Sequence, residues 1–455
     1  MRGILTYVIL IQAQFIFGQG SMNIDSLYNW HDSDTIYEIH YSPYNKFNEV
    51  WGYARDGREY AILGSTQGTH FFDVTEPANS IEVDFVDGRS TGGSNAHFVI
   101  HRDYHDFDDY LYMISDEGSG LQIADLRYLP DSVHVVYDSW DVLVQAHNIF
   151  IDSSSARLYV CGGGGSLRLY SLANPLSPTL LVDCSEDLAF WDATVGWVHD
   201  VYVRNDTAYC NASSKGLFII DFSDVSNPQM IGSLDTYVQQ GYNHSGWLMP
   251  NAPFYALADE TEGLDVKIID VSDISNLVVT DTIGSDVNPQ SMPHNLIYDD
   301  GFLYISYYQD GLYMFDCTTD PAHPTLAGFY DTSTQLHGLG YIGCWGVYPF
   351  LPSGNILASD TETGLWVFGH NLVASIPDKE MAQNTLLTFP NPVSEMLFVS
   401  ERFNGNQYSI IDMSGREVSH GVIYDSLDVS ELDSGIYTML LNGVQYGLTQ
   451  KFIKR

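Results

Sequence analysis

Short apolar stretches separated by turns run along most of the chain, and one of them recurs at nearly constant spacing. It usually begins with a small residue, continues with mostly apolar positions and often ends in aspartate. Its seven copies are GTHFFD from Gly68, GLQIAD from Gly120, SLRLYS from Ser166, GLFIID from Gly216, LDVKIID from Leu264, GLYMFD from Gly311 and GLWVFG from Gly364. Steps of about 45 to about 53 residues match a propeller blade, whereas a two-sheet sandwich would not repeat at a fixed step. The pattern predicts an all-β protein with a seven-bladed β-propeller over residues 45–370.

Each unit also contains an earlier apolar strand that carries an aromatic ring at a matching position. The aligned residues are Trp51, His97, His147, His199, His244, His294 and Trp345. The first strand of a propeller blade lines the central channel, so these side chains are predicted to face the axis at one level. Alternation along the strand predicts that Asp200, which follows His199, points away.

A ring of imidazoles admits two roles. Each imidazole can donate a hydrogen bond to the neighbouring blade as part of the scaffold, or several can converge on a cation. Carboxylates suited to complete a cation site occur at later strand ends: Asp116, Glu117, Asp259, Glu260 and Asp360. The sequence requires no cofactor, and a divalent metal ion in the channel is the one candidate. Both roles stay open.

Acidic residues dominate the charged positions. The 455 residues contain 58 Asp and Glu against 18 Lys and Arg, a formal net charge of −40. A surface of that sign repels phosphate backbones, which argues against a nucleic-acid partner, and it attracts divalent cations. The five cysteines are odd in number, irregularly spaced and without a CxxC pair. At least one thiol is therefore predicted to stay free, and no zinc–thiolate site is indicated.

The N-terminus has the features of an export signal. Arg2 precedes a mostly apolar run from Ile4 to Phe17, and Gly20 precedes a cleavage point before Ser21. We expect residues 1–20 to be a signal peptide and residues 21–44 to be a lead-in to the propeller. No later segment contains 18 uninterrupted apolar residues, so no transmembrane segment is predicted.

The C-terminal part follows a different pattern. Residues 371–386 lose the blade repeat and are predicted to be a linker. Residues 387–455 contain about seven short apolar stretches with turn residues between them, which predicts a small β-sandwich. The chain ends in KFIKR, a basic ending to an acidic protein.

The repeats resemble the LVIVD-repeat, choice-of-anchor B proteins, a group of secreted bacterial β-propellers. The resemblance rests on stretches such as VHDVYV, PHNLIY, DGLYMFDCTTDPAHPTLAGFYDT and CWGVYPFLPSGNILASDTETGLWVF, which follow the family's order through most of residues 45–370. It implies a propeller at the outer cell surface and no particular reaction. The second unit departs from the family pattern, because His97 stands where a tryptophan-bearing strand is expected.

Residues 387–455 resemble the type A C-terminal sorting domain of proteins exported by type IX secretion. FPNPVSEMLFV, SIIDMSGREV, LDVSELDSGIYTMLL and the basic ending occur in the family's order. The resemblance implies a Bacteroidetes-type bacterium, passage through the outer membrane by the type IX machinery and removal of the domain on secretion. The residues that it assigns to the sorting signal are Pro390, Asn391, Pro392, Gly415, Gly435, Lys451, Lys454 and Arg455.

Two functions from different classes stay open. The first is a secreted or cell-surface propeller without enzymatic activity that binds a surface glycan, a protein or a cation at its channel face. The second is a metal-dependent hydrolase or lyase whose site combines the aligned histidines with Glu117, Glu260 or Asp360. The chain contains no GxSxG, HExxH or GxxxxGKS/T motif, which favours the binding module.

Overall fold

The computed structural model describes residues 20–33, 45–88, 99–163, 166–250, 252–333, 340–370, 388–389, 393–399, 403–412, 416–424, 426–442 and 449–455. Strands dominate these residues. Their helical elements are short: α1 (Cys184–Asp187), α2 (Trp191–Thr194) and two 3₁₀ turns (Pro77–Asn79 and Leu126–Tyr128). Across these ranges, no helix has the length and apolar character needed to cross a membrane.

Seven antiparallel sheets succeed one another along residues 21–370. The chain begins with two strands, β1 (Ser21–Met22) and β2 (Ile24–Trp30). Each of the first five sheets then uses four consecutive strands: β3 (Phe47–Arg55), β4 (Arg58–Ser65), β5 (Gly68–Asp73) and β6 (Ile81–Asp87); β7 (Arg102–Phe107), β8 (Tyr110–Ser115), β9 (Leu121–Asp125) and β10 (His134–Ser139); β11 (Asn148–Asp152), β12 (Arg157–Cys161), β13 (Leu167–Ser171) and β14 (Thr179–Asp183); β15 (Asp200–Arg204), β16 (Thr207–Asn211), β17 (Leu217–Asp221) and β18 (Gln229–Leu234); β19 (Asn243–Met249), β20 (Phe254–Asp259), β21 (Val266–Asp270) and β22 (Val278–Ile283).

The start of the chain completes the last two sheets. The sixth sheet consists of β23 (Pro293–Asp299), β24 (Phe302–Tyr307), β25 (Gly311–Asp316) and β26 (Thr325–Tyr330), with β1 beside β26. The seventh consists of β27 (Cys344–Tyr348), β28 (Ile356–Asp360) and β29 (Gly364–His370), with β2 as its fourth strand. β2 runs antiparallel to β29 from the pair Ile24–His370 to the pair Trp30–Leu365. The two ends of the propeller thus share one sheet, which closes the ring without a covalent bond.

The first strands of the sheets form the inner ring. β3 contacts β7, and contacts continue through β11, β15, β19, β23 and β27 back to β3. This closed cycle of seven sheets confirms the prediction of a seven-bladed propeller. The lead-in predicted for residues 21–44 had no strand assigned to it, whereas β1 and β2 lie in the propeller sheets.

The recurring third strand is buried on both faces because a neighbouring sheet packs on each. Its opening glycine is required by backbone geometry. Gly216 and Gly311 have φ angles of 97° and 91°, a region that residues with a Cβ rarely adopt. A Cβ on either glycine would also collide with the carbonyl oxygen of Leu234 or Tyr330 on the fourth strand. The glycine of the repeat therefore marks where the third strand starts.

All five cysteines are buried and none forms a disulfide. Burial raises the pKa of the Cys161 and Cys210 thiols, so both stay protonated and act as small apolar residues between sheets.

The described residues between 388 and 455 form two further sheets. The described part of this segment contains seven strands: β30 (Thr388–Phe389), β31 (Met396–Val399), β32 (Gln407–Asp412), β33 (Glu417–Val422), β34 (Ser426–Asp428), β35 (Gly435–Asn442) and β36 (Thr449–Lys454). One sheet has the order β30-β31-β34 and the other has the order β33-β32-β35-β36. Buried Leu397, Ile410, Met439 and Phe452 belong to one apolar cluster. The predicted small β-sandwich is therefore confirmed.

Candidate functional site

Three tiers of side chains line the central channel, and two of them arise because each first strand turns alternate residues towards the axis. The middle tier, called the polar tier, consists of Glu49, Asp103, Asn148, Asp200, Ser245 and Asn295. Two residues further along each strand lies the aromatic tier, whose members are Trp51, His105, Phe150, Tyr202, Trp247, Tyr348 and the aliphatic Ile297. The histidine tier lies at the opposite side of the polar tier, at one end of the channel, and consists of His101, His147, His199, His244, His294 and Trp345.

The histidine tier breaks strict alternation, since most of its residues directly precede a polar-tier residue on the same face. Irregular pairing explains this. The register of β19 against β20 shifts between Asn243 and Ser245, and β23 and β27 show shifts at the same place. A bulge lets two consecutive side chains share a face. His147 and His199 lie just before β11 and β15, where alternation has not yet begun.

The six rings of the histidine tier contact one another in a closed cycle. The centroid distances, taken in order, are 5.5 Å from His101 to His147, 4.2 Å to His199, 4.0 Å to His244, 4.4 Å to His294, 4.5 Å to Trp345 and 5.7 Å back to His101. The second to seventh sheets each contribute one ring. The tier therefore narrows this end of the channel.

Hydrogen bonds to the next sheet orient two of the imidazoles. His294 Nδ1 donates to the carbonyl oxygen of Trp345 at 2.6 Å, and His199 Nδ1 donates to that of His244 at 3.2 Å. A proton on Nδ1 leaves the lone pair of the neutral ring on Nε2. The Nδ1 atom of His244 is buried and has no hydrogen-bond partner among the described residues.

Carboxylates orient two further imidazoles. His147 Nδ1 lies 3.2 Å from Asp116 Oδ2, and His101 Nδ1 lies 2.7 Å from Glu117 Oε1. The bond from His147 lowers the pKa of Asp116, which therefore accepts as a carboxylate. Burial acts to lower the pKa of His101, but the hydrogen bond and charge of Glu117 outweigh it and raise that pKa above its usual value.

The other three histidines of the tier are neutral at physiological pH. Burial lowers the pKa of His199 and His244 well below the usual value, and the neighbouring imidazoles lower it further. Burial also lowers the pKa of His294 to about 3, against the opposing effect of the Trp345 carbonyl. Like charges packed this closely would repel one another, so neutral rings are the stable state.

Glu260 is the carboxylate that reaches this neutral part of the tier. Its Oε2 atom lies 4.0 Å from His244 Nε2, and its Oε1 atom accepts a hydrogen bond of 2.7 Å from the Tyr308 hydroxyl. Burial raises the pKa of Glu260 to about 7, although the Tyr308 hydrogen bond opposes the rise. Glu260 is therefore partly protonated at neutral pH.

Asp360 takes a different place. Its Oδ1 atom accepts from the N–H groups of Glu362 and Thr363, and its Oδ2 atom accepts from the Thr332 hydroxyl. These bonds hold the turn between β28 and β29, and the structure does not bring Asp360 into the ring.

Two groups of side chains have the spacing of metal ligands. In the first group, one nitrogen from each of His147, His199 and His244 lies within 4.8 Å of the others. The second group combines His244 and His294 with Glu260 at the same spacing. Both groups include His244, and Glu260 has this spacing with His244 and His294.

The polar tier holds buried acids. Burial raises the pKa of Asp103 to about 8 and of Asp200 to about 7, and it raises that of Glu49 well above the usual range, with Asp103 adding to the rise. The cavity beside these residues has a volume of about 60 Å³. That space admits a few water molecules and excludes a sugar ring.

Exposed aromatic rings surround the histidine tier on the loops that lead into the first strands. Trp197 lies beside Gly162, which also contacts His147. Trp140 donates from Nε1 to the carbonyl oxygen of Gly118, next to Glu117, at 3.1 Å. Tyr341 packs on Tyr308, and Tyr308 packs on His294. We call the histidine tier together with Trp140, Trp197, Tyr308 and Tyr341 the histidine mouth.

The structure brings together four imidazoles that the repeat pattern aligned, His147, His199, His244 and His294, and it adds one that the pattern missed. His97 lies outside the described residues, and His101 holds the place of the second sheet. The distance along the chain from each histidine to the recurring third strand could have identified His101. His101 precedes Gly120 by 19 residues, as His147 precedes Ser166, whereas His97 precedes Gly120 by 23.

Two other expectations were wrong. Trp51 does not belong to the histidine tier, because it packs against His105 at 4.6 Å and Tyr348 at 5.0 Å in the aromatic tier. Asp200 does not point away from the channel but lines it. Both errors come from counting strict alternation across the irregular start of the strand.

The residues assigned to sorting are only partly described. Pro390, Asn391, Pro392 and Gly415 lie outside the described residues. Gly435 begins β35, Lys451 and Lys454 lie in β36, and Arg455 follows that strand.

Two family profiles match the chain. The LVIVD repeat matches residues 195–236 and 295–332, which fall in the propeller. The secretion system C-terminal sorting domain matches residues 387–455. The choice-of-anchor B name has no match of its own and stays a resemblance. A comparison with curated proteins found no match.

Solved structures of other proteins share parts of the fold. One is PorZ, an essential surface component of the type-IX secretion system of Porphyromonas gingivalis; it is 13% identical over 90% of this chain and 59% of its own, with a TM-score of 0.46. This chain therefore spans less than two thirds of PorZ. Another is the β-propeller domain of Cps50 (Swd1) from Myceliophteria thermophila, 13% identical over 74% of this chain and 99% of its own, with a TM-score of 0.49.

The fold assignment rests on the seven sheets and their closed ring, and the export assignment rests on the match over residues 387–455. The chain carries LVIVD repeats in a β-propeller and ends in the C-terminal sorting domain of type IX secretion.

Proposed function

We propose that this protein loses residues 1–20, is delivered to the outer surface of a Bacteroidetes-type bacterium by type IX secretion, and binds a neutral carbohydrate at the histidine mouth. The sorting domain supports delivery outside the cell. One observation carries the binding role: exposed aromatic rings surround a cluster of buried imidazoles and carboxylates at one end of the channel.

The rim provides the two kinds of contact that a sugar needs. Trp140, Trp197 and Tyr341 are 41%, 45% and 53% exposed, so their faces can pack on the apolar face of a sugar ring. Asp116 and Glu117 pair with the imidazoles of His147 and His101, and carboxylate oxygens of this kind can also accept hydrogen bonds from sugar hydroxyl groups. Rigid aromatic contacts combined with a few fixed polar groups are typical of ligand sites.

Charge and size restrict the ligand. A net charge of −40 repels anionic polysaccharides as well as nucleic acids, which favours a neutral glycan. The channel beneath the mouth has a cavity of only about 60 Å³, so the sugar lies across the mouth and not inside the channel. The match with the sorting domain places no constraint on the sugar's identity.

Binding to immobilised β-glucan, mannan and xylan tests this proposal with the full chain. We expect saturable binding to at least one of them, with a loss of about tenfold or more in Trp197→Ala. Tyr128→Ala is the matched control, because Tyr128 is 50% exposed but lies between β9 and β10, away from the mouth. Equal binding by wild type and Trp197→Ala contradicts the site. If the protein binds none of the three polysaccharides and captures a protein partner instead, the proposed carbohydrate ligand is wrong.

A metal-dependent hydrolase or lyase is the second candidate function, and Glu260 is the observation that favours it. A carboxyl with a pKa of about 7 beside His244 suits a general base at neutral pH, and this candidate function requires that Glu260 is not itself a ligand of the metal. If this candidate is correct, a bound glycan is cleaved in the presence of Zn²⁺, and Glu260→Gln binds the glycan without cleaving it. Binding without any cleavage by wild type leaves the protein a binding module.

A further inference from the structure

We propose that His147, His199 and His244 bind one first-row transition-metal ion, such as Zn²⁺, at the channel mouth, with Glu260 at the fourth coordination position. The proposal deepens the proposed function, because it rests on the histidine mouth being the working site. The sequence left two roles open for the imidazoles, scaffold and cation binding. The proposal assigns three nitrogen ligands and one carboxylate to the cation.

The spacing of the three nitrogens suits an ion after small side-chain rotations. One nitrogen from each ring lies within 4.8 Å of the other two. Tetrahedral zinc with nitrogen at about 2.1 Å separates its ligands by about 3.4 Å. Rotations that bring each nitrogen inward by about 1 Å close that difference, and rings on neighbouring sheets can make them independently.

The atoms behind the rings are arranged as in metal centres. A metal-ligating histidine usually donates its other N–H to a carboxylate or a backbone carbonyl, which fixes the ring and leaves a lone pair for the metal. His147 makes this bond to Asp116, and His199 makes it to the carbonyl of His244. Bonds at Nδ1 therefore support the scaffold and leave Nε2 as the nitrogen available to a metal ion.

The fourth position follows from the contacts of His244. Its Nε2 atom lies 4.0 Å from Glu260 Oε2, while Tyr308 holds the other oxygen of Glu260. Glu260 thus reaches the site through His244, has metal-ligand spacing with His244 and His294, and keeps Oε2 unoccupied by a described hydrogen bond.

The ligand set selects the class of metal. Three imidazoles suit Zn²⁺, Ni²⁺ or Cu²⁺, whereas Ca²⁺ and Mg²⁺ prefer sets made of oxygen. Three histidines and one carboxylate make a four-coordinate site, so we name Zn²⁺ as the probe and Co²⁺ as its spectroscopic substitute.

Calorimetric titration of Zn²⁺ into the EDTA-treated full chain tests the site, together with elemental analysis of protein purified without chelator. We expect one ion per chain, about 100-fold weaker binding in His199→Gln and His147→Gln, and about tenfold weaker binding in Asp116→Asn. Co²⁺ should show the intense visible bands of four-coordinate geometry. His105→Gln is the matched control, because this imidazole lines the same channel in the aromatic tier, and it should bind like wild type.

Two results overturn the metal site. One is no saturable Zn²⁺ binding by wild type. The other is equal affinity in wild type, His199→Gln and His147→Gln. His147→Gln is included in case His199→Gln fails to fold. The His147 side chain is 19% exposed and should tolerate substitution better than the buried His199. The proposed function fails separately. If glycan binding persists in EDTA with no metal bound, the metal site is rejected and the glycan site at the histidine mouth is retained. If Zn²⁺ binds but no glycan does, the metal site is retained and the carbohydrate ligand is rejected.

Discussion

The ion pair between Lys267 and Asp259 is where a single substitution should destabilise the propeller most clearly. Both side chains are completely buried, and Lys267 Nζ lies 2.6 Å from Asp259 Oδ2. Tyr237 donates to the other oxygen of Asp259 at 2.9 Å, and Lys267 also donates to the carbonyl oxygen of Asp265 at 2.8 Å. Asp259 ends β20 and directly precedes Glu260, so this pair also anchors the candidate site.

Lys267→Met removes the positive charge and keeps most of the volume. The carboxylate of Asp259 then stays buried without its counter-ion, and breaking a buried pair in this way costs about 3–5 kcal/mol. Asp259→Asn in the same chain removes the second charge while keeping an acceptor for Tyr237. We expect the double variant to recover about 2 kcal/mol of the loss, because no uncompensated charge remains.

Urea unfolding followed by tryptophan fluorescence measures both values as free energies of unfolding. Lys215→Met is the control, because the Lys215 side chain is only partly buried and its ammonium donates to two carbonyls at the surface, those of Asp192 and Ala193. We expect this control to lose less than about 1 kcal/mol. A loss of that small size in Lys267→Met, or a double variant no more stable than the single one, would refute the reasoning.

Three further outcomes are expected. Ile24→Ala should lower the free energy of unfolding by about 2–4 kcal/mol, because this side chain of β2 is 1% exposed in the core; a denaturant titration showing almost no loss would mean that β2 does not close the ring. Asp103→Asn should flatten the change of melting temperature with pH. Burial raises the pKa of Asp103 from 3.8 to about 8, so the stabilisation that the protonated side chain gives the wild type is complete below about pH 4 and is lost as pH rises through 8. An unchanged slope of melting temperature against pH in the variant contradicts this. A chain without residues 387–455 should fold and stay behind the outer membrane in a type IX host, and surface labelling of the truncated chain would contradict the sorting role.

The propeller could be predicted because its evidence is repeated. A glycine such as Gly216 or Gly311 sits at the same point of the third strand in several blades, where only a residue without Cβ fits. A single short apolar stretch does not identify a strand with certainty, but seven copies at similar steps do. β2 has no such support. It supplies the fourth strand of a blade whose other strands lie more than 300 residues away, and a pairing so distant leaves no mark in the local pattern.

Only part of the histidine mouth could be predicted from the sequence. The recurrence of His147, His199, His244 and His294 indicated one level of the channel, and the structure places all four there. The position of Asp200 was not readable, because alternation holds only within a regular ladder and these strands begin with a bulge or an unpaired residue. The rim was invisible to a repeat analysis, since Trp197 and Tyr341 lie on loops that differ from blade to blade.

The irregular start of the first strand is what gives the channel mouth its chemistry. In a regular strand, an imidazole towards the axis would force the next side chain into the core between sheets. The bulge in β19 turns both His244 and Ser245 to the channel, and Ser245 then donates to the carbonyl oxygen of His294 at 2.6 Å. A carbonyl at this level can accept twice, as that of Trp345 does from Ser306 Oγ and His294 Nδ1 in the next sheet. His244, which this bulge turns to the channel, is the residue that both groups with metal-ligand spacing share, so the irregular strand start is what brings those groups together.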